Sequence, residues 1–141
     1  MLSKGEFIRI DGLEELDKRL RALPDKINRD IMGKALEDGA EIIRAEAEAN
    51  APYDGSSMGH HLKDNIKLSD VKRRGSSTEI QVGIDYKKVK HGHLVEFGHG
   101  GPKPAPAHPF MRPAFDTKKG EALHAIRETL RRLIEGAARH V

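Results

Sequence analysis

The chain has 141 residues, of which 37% are hydrophobic, 4% aromatic and 33% charged. This length predicts a single domain over residues 1–141, and the lean, charged composition suggests a subunit that gains stability by assembling. The chain contains no cysteine, which excludes disulfides, a thiolate nucleophile and a zinc–sulfur site. No apolar run approaches the roughly 18 residues of a membrane span, and no signal-peptide hydrophobic region is present, so we expect a soluble cytoplasmic product.

Charge is distributed unevenly along the chain, although the formal net charge is only +3. Residues 1–50 hold 9 Lys/Arg against 12 Asp/Glu, whereas residues 99–141 hold 8 against 4. A basic end can attract nucleic acid through phosphate contacts, or it can equally meet an acidic neighbour. Because acidic residues are interspersed among the basic ones, specific nucleic-acid recognition is the less favoured interpretation.

Residues 11–50 are predicted to be helical. A short opening strand at residues 6–10 precedes them, and Asp11 can cap the first turn with its carboxylate. Leucines then recur at the spacing of an amphipathic helix, at Leu13, Leu16, Leu20 and Leu23. Pro24 ends this helix or bends the chain into the next one.

The longest helical pattern spans residues 25–49, and the run Asn50-Ala51-Pro52 stops it. Gly33 and Gly39 each weaken this helix by on the order of 1 kcal/mol relative to alanine. Either they mark a close helix–helix contact, within or between subunits, or they are tolerated on an ordinary helix. We favour the second interpretation.

Residues 62–98 are predicted to form antiparallel strands. Isoleucine and valine alternate with polar residues or glycine over residues 79–84, which is typical of a half-buried strand. Residues 66–72 and 78–84 form a hairpin in this interpretation, with a turn at residues 73–77. With a central strand at residues 93–97, the expected fold is α+β, a small antiparallel sheet of three to four strands packed against two long helices, one N-terminal and one C-terminal.

A proline-rich arm and a final helix complete the predicted fold. Gly98 stops the central strand, and closely spaced prolines hold residues 99–112 extended, because proline lacks an amide donor and restricts the residue before it. The arm ends in an apolar plug formed by Phe110 and Met111. Pro113 is expected at the first position of a helix over residues 113–139, where its missing N–H costs nothing.

Two runs in this region resemble a family of tailed-phage neck proteins. The first is His-Leu-Val-Glu-Phe-Gly at residues 93–98, and the second is Pro-Phe-Met-Arg-Pro-Ala-Phe at residues 109–115. The family's members are tail-completion or head–tail joining components encoded by phages and prophages. This chain departs from the family pattern at His99, where threonine is usual, and in a longer spacer that is richer in proline. A second, weaker block of similarity comprises Ala51, Pro52, Gly59, Leu62 and Ile66.

The resemblance implies a structural role in virion assembly, with no catalytic residue, no metal and no cofactor. Such a protein would form a ring of copies, six in the expected case, around the DNA channel of the neck. Its partners would be further copies of itself and other neck and tail proteins, with non-specific contact to channel DNA and no membrane contact. It would be made in the host bacterial cytoplasm and would reside in the virion, at the tail or neck.

A possible ion pair would join the central strand to the arm. A partly buried Glu96 would be costly unless paired, and the turn before the arm would bring Arg112 back over the sheet. We hypothesise that this pair pins the arm, within one subunit or across two. Alternatively, both are solvated surface charges. The arm itself is either a rigid connector between strand and helix or a strap whose Phe110 docks in a neighbour's groove. The residues of this hypothetical pin and arm are Glu96, Phe97, Gly98, Pro109, Phe110, Arg112 and Pro113.

Two polar segments, residues 53–61 and 72–77, are predicted to be loops that contact the next ring. The candidate contact residues in them are His60, His61, Arg73 and Arg74.

Two other functional classes stay open. Eight histidines suggest a metal site, but no helical His-Glu-x-x-His or other fixed spacing is present. Neither a Gly-x-Ser-x-Gly motif nor a phosphate-binding glycine loop occurs, so we do not expect an enzyme. The alternatives are therefore a His-rich metal-dependent nuclease and a basic nucleic-acid-binding module.

Overall fold

The computed structural model describes residues 14–51, 62–75, 77–85 and 110–139. These residues form an α+β fold of three helices and two small antiparallel sheets of two strands each. In chain order the elements are α1 (Glu14–Arg21), α2 (Asp25–Asn50), a 3₁₀ helix (Leu62–Asn65), β1 (Ile66–Leu68), β2 (Lys72–Arg74), β3 (Ser77–Glu79), β4 (Val82–Ile84) and α3 (Met111–Ala138). The predicted fold class is thus confirmed for the helices and the antiparallel strands.

Four predicted segments lie outside the described residues. They are the opening strand at residues 6–10, the loop at residues 53–61, the central strand at residues 93–97, and the proline-rich arm up to residue 109. The prediction of one sheet with three to four strands does not hold for the described residues, because their four strands pair two by two.

The contact between α2 and α3 is the largest between any two elements that the structure describes. Gly39 lies in it: a Cβ atom built there would be 2.5 Å from Cγ1 of Ile126 and 3.0 Å from the carbonyl oxygen of Ala122. The helices approach this closely because residue 39 has no side chain. The favoured interpretation of Gly39 as a merely tolerated glycine is therefore wrong.

The connection between α1 and α2 is short and hydrogen-bonded. Pro24 immediately precedes α2, and its carbonyl oxygen accepts from the N–H of Asn28 at 2.9 Å. The Asn28 side chain donates to the carbonyl oxygen of Leu20 at 3.0 Å, which satisfies one of the backbone acceptors left unpaired at the end of α1. At its other end α2 stops as predicted, with Ala51 in an extended conformation.

Residues 66–84 form one hairpin that is paired in two segments. In β1 and β4, Ile66 lies opposite Ile84, and in β2 and β3, Arg73 lies opposite Thr78. The turn is shorter than predicted, because the expected turn residue Arg73 belongs to β2. Gly75 at the tip has a φ of +60°, a left-handed conformation that glycine adopts without strain.

One extra residue separates the two segments of the hairpin. Ser69, Asp70 and Val71 lie between β1 and β2, whereas only Ile80 and Gln81 lie between β3 and β4. The N–H of Ser69 donates to the carbonyl oxygen of Gln81 at 2.8 Å, and the N–H of Gln81 donates to Oγ of Ser69 at 2.9 Å. The serine hydroxyl therefore provides the acceptor at the point where the backbone pairing shifts by one residue.

Helix α3 begins at Met111, two residues before the predicted start at Pro113. Pro113 is therefore the third residue of the helix and not the first. It still lies within the first turn, where backbone N–H groups have no partner inside the helix, so the missing donor breaks no helical hydrogen bond.

The core lies between the two long helices and beneath the hairpin, which packs mainly against α2. Seven side chains in it are the largest that are fully buried, namely Phe110, Ile43, Ile66, Ile84, Met111, Ile126 and Ile134. Ile27 is the large hydrophobic side chain that remains exposed among the described residues.

Candidate assembly surface

An open groove of about 380 Å³ runs between α2 and the outer half of the hairpin. Its floor is apolar: Gly33 contributes no side chain, and the methyl groups of Val71 lie 3.8 and 3.9 Å from the position of a Cβ atom built at residue 33. The groove exists because this small residue of α2 faces the hairpin. Its lining comprises Arg29, Asp30, Gly33, Lys34, Glu37, Val71, Arg73 and Thr78.

The cations at the groove are paired with neighbouring carboxylates. Asp25 accepts from Arg29 at 2.6 Å and from Arg73 at 3.2 Å, so this carboxylate links the start of α2 to β2. Lys34 donates to Asp38 at 2.7 Å. These pairs are largely exposed to solvent, so each contributes little to stability. Their main effect is to neutralise the groove's positive charges.

Two carboxylates at the groove are left without such a partner. Asp30 and Glu37 are exposed on α2 and form no ion pair or side-chain hydrogen bond within the described part of the chain. They lie seven residues apart, which places them on the same face of the helix two turns from each other. The groove therefore presents unpaired negative charge on either side of Gly33.

A polar contact joins α2 and α3 beside this groove. The hydroxyl of Thr129, which is only 6% exposed, donates to Oδ2 of Asp38 at 2.8 Å, and Lys34 donates to Oδ1. Partial burial alone would raise the pKa of Asp38, but the hydrogen bonds from Lys34 and Thr129 outweigh it and lower the pKa below its usual value. The hydrogen bond to Asp38 in turn raises the pKa of Lys34. Asp38 is thus held ionised between the two helices.

A second open concavity, of about 420 Å³, lies on the C-terminal half of α3. Gly136 is part of its lining, and a Cβ atom built there would meet nothing within 4 Å. Arg131 donates to Glu128 at 2.9 Å, whereas the exposed side chains of Arg132 and Arg139 form no ion pair with any residue that the structure describes. The exposed Glu135 in the same lining also forms no ion pair with a described residue, so the unpaired charge of this surface is that of two arginines and one glutamate, which is net positive.

The predicted pin and arm are described only at their C-terminal end. Phe110 is fully buried within its own chain, so it is not available to a neighbour in this arrangement. Arg112 is 68% exposed at the start of α3, with its Nε 3.7 Å from the carboxylate of Asp116. Pro113 follows in the same turn. The remaining residues of this prediction, which lie outside the described ranges, are Glu96, Phe97, Gly98 and Pro109.

The predicted partner-contact residues are likewise only partly described. Arg73 lies on β2, beside Asp25, and Arg74 is the last residue of the same strand. His60 and His61 lie outside the described residues. The sequence pattern assigned Arg73 to the turn, whereas Arg73 lies on β2 and pairs with Asp25 of α2. Its contact with a partner stays a prediction.

The polar contact between α2 and α3 was not predicted from the sequence. Asp38 and Thr129 are 91 residues apart, and nothing in their local sequence indicates that they meet. The available signal was the apolar face of each helix, because Asp38 and Thr129 adjoin the buried Gly39 and Leu130.

No group of three or more potential metal-ligating side chains occurs among the residues that the structure describes, which include His124 but not the other seven histidines. None of the described helices is both long and apolar enough to cross a membrane.

Comparison with known proteins identifies the family. Residues 14–98, which are more than half of the chain and include both long-helix and hairpin residues, match the family model described as "Bacteriophage HK97-gp10, putative tail-component". No curated protein and no solved structure matches the chain. The chain therefore belongs to the HK97-gp10-like family of bacteriophage tail components.

Proposed function

We propose that this protein is a structural component of the phage neck, which completes the head-proximal end of the tail or joins the tail to the capsid. The observation that carries the proposal is the family match over residues 14–98. The resemblance of residues 93–98 and 109–115 to neck proteins supports the more specific proposal of a neck component. The mechanism in this proposal is assembly and not catalysis.

The protein acts as a ring of six copies around the DNA channel, in contact with other neck and tail proteins. Two features support assembly between copies: the groove beside α2 and the concavity on α3 are both open and carry opposite unpaired charge. Contact with channel DNA is non-specific in this proposal and weakens steeply as the salt concentration rises.

The proposed role is tested with a phage or prophage from which this gene has been deleted. Electron microscopy of the lysate is expected to show filled heads separate from free tails, and supplying the gene from a plasmid should restore complete virions. Normal virions in the absence of the gene would remove the structural role.

The Glu96–Arg112 pin remains part of the proposal. We expect Glu96→Gln and Arg112→Lys each to lower the thermal midpoint or to weaken assembly, because lysine cannot reproduce the bidentate geometry of arginine. Asp116→Asn is the matched control, since it removes the 3.7 Å neighbour of Arg112 on α3 and leaves Glu96 unchanged. Wild-type behaviour of both pin variants would show that the pin does not exist.

A further inference from the structure

The exposed face of α2 at the groove carries an acidic triplet, which we define as Asp30, Gly33 and Glu37. These residues follow one another at steps of three and four, so they share one face of the helix. Both carboxylates are exposed and unpaired, and the three cations that line the groove are already paired with Asp25 or Asp38.

The exposed face of α3 at the second concavity carries a basic triplet, Arg132, Gly136 and Arg139. These residues follow at steps of four and three, which is the order of the acidic triplet reversed. When the two helices run antiparallel, the two triplets therefore match position by position. Both arginines are exposed and have no ion-pair partner among the described residues.

Gly136 leaves space on the basic triplet, whereas Gly33 is covered by Val71. A Cβ atom built at Gly136 would meet no atom within 4 Å, and one built at Gly33 would meet the methyl groups of Val71 at 3.8 and 3.9 Å. A helix in the groove therefore contacts Val71 beside Gly33, and Gly136 on that helix leaves room for this side chain. A similar arrangement occurs at Gly39, where the absence of a side chain on α2 makes room for Ile126 of α3.

We propose that the groove beside α2 of one copy binds the C-terminal half of α3 of a second copy, with the two helices antiparallel. Asp30 then lies opposite Arg139 of the second copy, Gly136 of the second copy against Val71 beside Gly33, and Glu37 opposite Arg132. Every copy has both faces, so each copy can bind on two sides, as a closed assembly requires. This inference rests on the proposed function, because it names the contact through which the copies assemble.

Charge reversal tests the proposed contact through self-association. In sedimentation velocity at low salt, Glu37→Arg and Arg132→Glu should each raise the dissociation constant by about tenfold or more, because each places like charges opposite one another. The double variant should return to within about threefold of wild type, since the pair is restored with its sign exchanged. Because Arg132 also lies near Asp38, the pair Asp30→Arg and Arg139→Glu provides the same test away from that carboxylate.

The controls are Glu15→Arg on α1 and Lys119→Glu on α3, which reverse exposed charges outside both triplets and should leave self-association unchanged. Circular dichroism of each variant checks that the helices remain folded. A wild-type chain that stays monomeric at high concentration would overturn the contact, and so would a double variant no better than the singles.

Cross-linking provides an independent test, because the natural chain has no cysteine. A mixture of Asp30→Cys and Arg139→Cys proteins should form a covalent dimer on oxidation, since a disulfide requires Cα atoms within about 7 Å. A mixture of Asp30→Cys and Lys119→Cys is the control and should remain monomeric under the same conditions. Equal yields from the two mixtures would contradict the proposed contact.

The outcome for this contact is separable from the outcome for the neck role. If deletion of the gene leaves heads and tails separate but the charge reversals change nothing, the neck role stands and the contact fails. If the reversals act as expected but the deletion mutant makes normal virions, the contact stands and the neck role fails.

Discussion

The glycines of the two long helices differ in what surrounds them, and this difference decides what each can tolerate. Gly39 is enclosed by Ile126 and the backbone of Ala122, whereas a Cβ atom at Gly120 would meet nothing within 4 Å. Intrinsic helix propensity favours alanine over glycine at both positions by about 1 kcal/mol. The packing around Gly39 must therefore decide whether an alanine there raises or lowers the free energy of unfolding.

We expect Gly39→Ala to lower the free energy of unfolding by about 1–2 kcal/mol, because the methyl group would force α2 and α3 apart. Gly120→Ala, the matched control on the exposed face of α3, should raise it by up to about 1 kcal/mol. Urea unfolding of both variants measures the difference. Equal stability of the two variants would mean that the helices are not in close contact at residue 39.

Asp38 is the residue through which pH acts on the helix pair. Its folded-state pKa lies below the ordinary aspartate value of 3.8, and the groups facing it are Lys34 on its own helix and Thr129 and Arg132 on α3. Since the folded pKa is the lower one, the stabilisation from the ionised form is fully present above pH 3.8 and is lost as the pH falls through the folded value.

Asp38→Asn is expected to reduce the free energy of unfolding by about 1 kcal/mol at neutral pH, because it weakens the contacts with Lys34 and Thr129. The difference in the free energy of unfolding between variant and wild type should become smaller as the pH falls below 3.8. Thermal unfolding followed at pH 7 and pH 3 measures this. An equal gap at both pH values would show that the charge of Asp38 does not contribute.

At the scale of elements, the hairpin depends on one side-chain hydrogen bond where its pairing shifts. Oγ of Ser69 accepts from the N–H of Gln81, a role that a backbone carbonyl has elsewhere in an antiparallel ladder. An N–H left without an acceptor would cost free energy where Gln81 is half-buried.

Ser69→Ala should therefore destabilise the chain by about 1 kcal/mol, while Ser69→Thr, which keeps a hydroxyl, should stay close to wild type. Hydrogen exchange at the amide of Gln81 gives the local readout, and it should be faster in the alanine variant. If the alanine variant keeps wild-type protection at that amide, the hydroxyl is not the acceptor on which this pairing depends.

The elements were predictable where local sequence determines them. The leucine spacing of α1, the stop after Asn50 and the alternation through Ile80, Val82 and Ile84 are periodic signals, and the corresponding elements are present. The register shift at Ser69 and the start of α3 at Met111 were not predictable. Both depend on contacts between distant parts of the chain, which local periodicity does not encode.

At the scale of the whole molecule, the tip of the hairpin is the part that we propose to reach the next ring. Substituting glutamate for both Arg73 and Arg74 reverses their charge, and this should block head–tail joining without unfolding the subunit. The loss of the exposed Arg73–Asp25 pair itself should cost at most about 1 kcal/mol.

Complementation of the deletion mutant measures joining, and circular dichroism measures folding. Lys119→Glu is the control, as it reverses an exposed charge on α3, away from the tip. Normal joining by the Arg73 and Arg74 variant would exclude the tip as the contact.

The family was accessible from the sequence, but the candidate surface was only partly so. The tail-component family follows from residues 14–98, and the basic character of the C-terminal part is visible in its composition. The groove and its paired cations were not visible, because they require Asp25 and Arg73 to meet across 48 residues. Unpaired charge is a property of the folded surface, so sequence alone could not separate Asp30 and Glu37 from the other acidic residues.

The extra residue between β1 and β2 also constrains how the length of this hairpin can vary during evolution. Since side chains alternate between faces, one additional residue moves Val71 and Arg73, instead of Asp70 and Lys72, to the side that faces α2. Deleting Asp70 would remove the irregularity and leave an unbroken antiparallel ladder, in which Val71 lies opposite Ile80 and Arg73 stays opposite Thr78. A hairpin that is one residue shorter at this position should therefore be tolerated during evolution, because Val71 and Arg73 would still face α2.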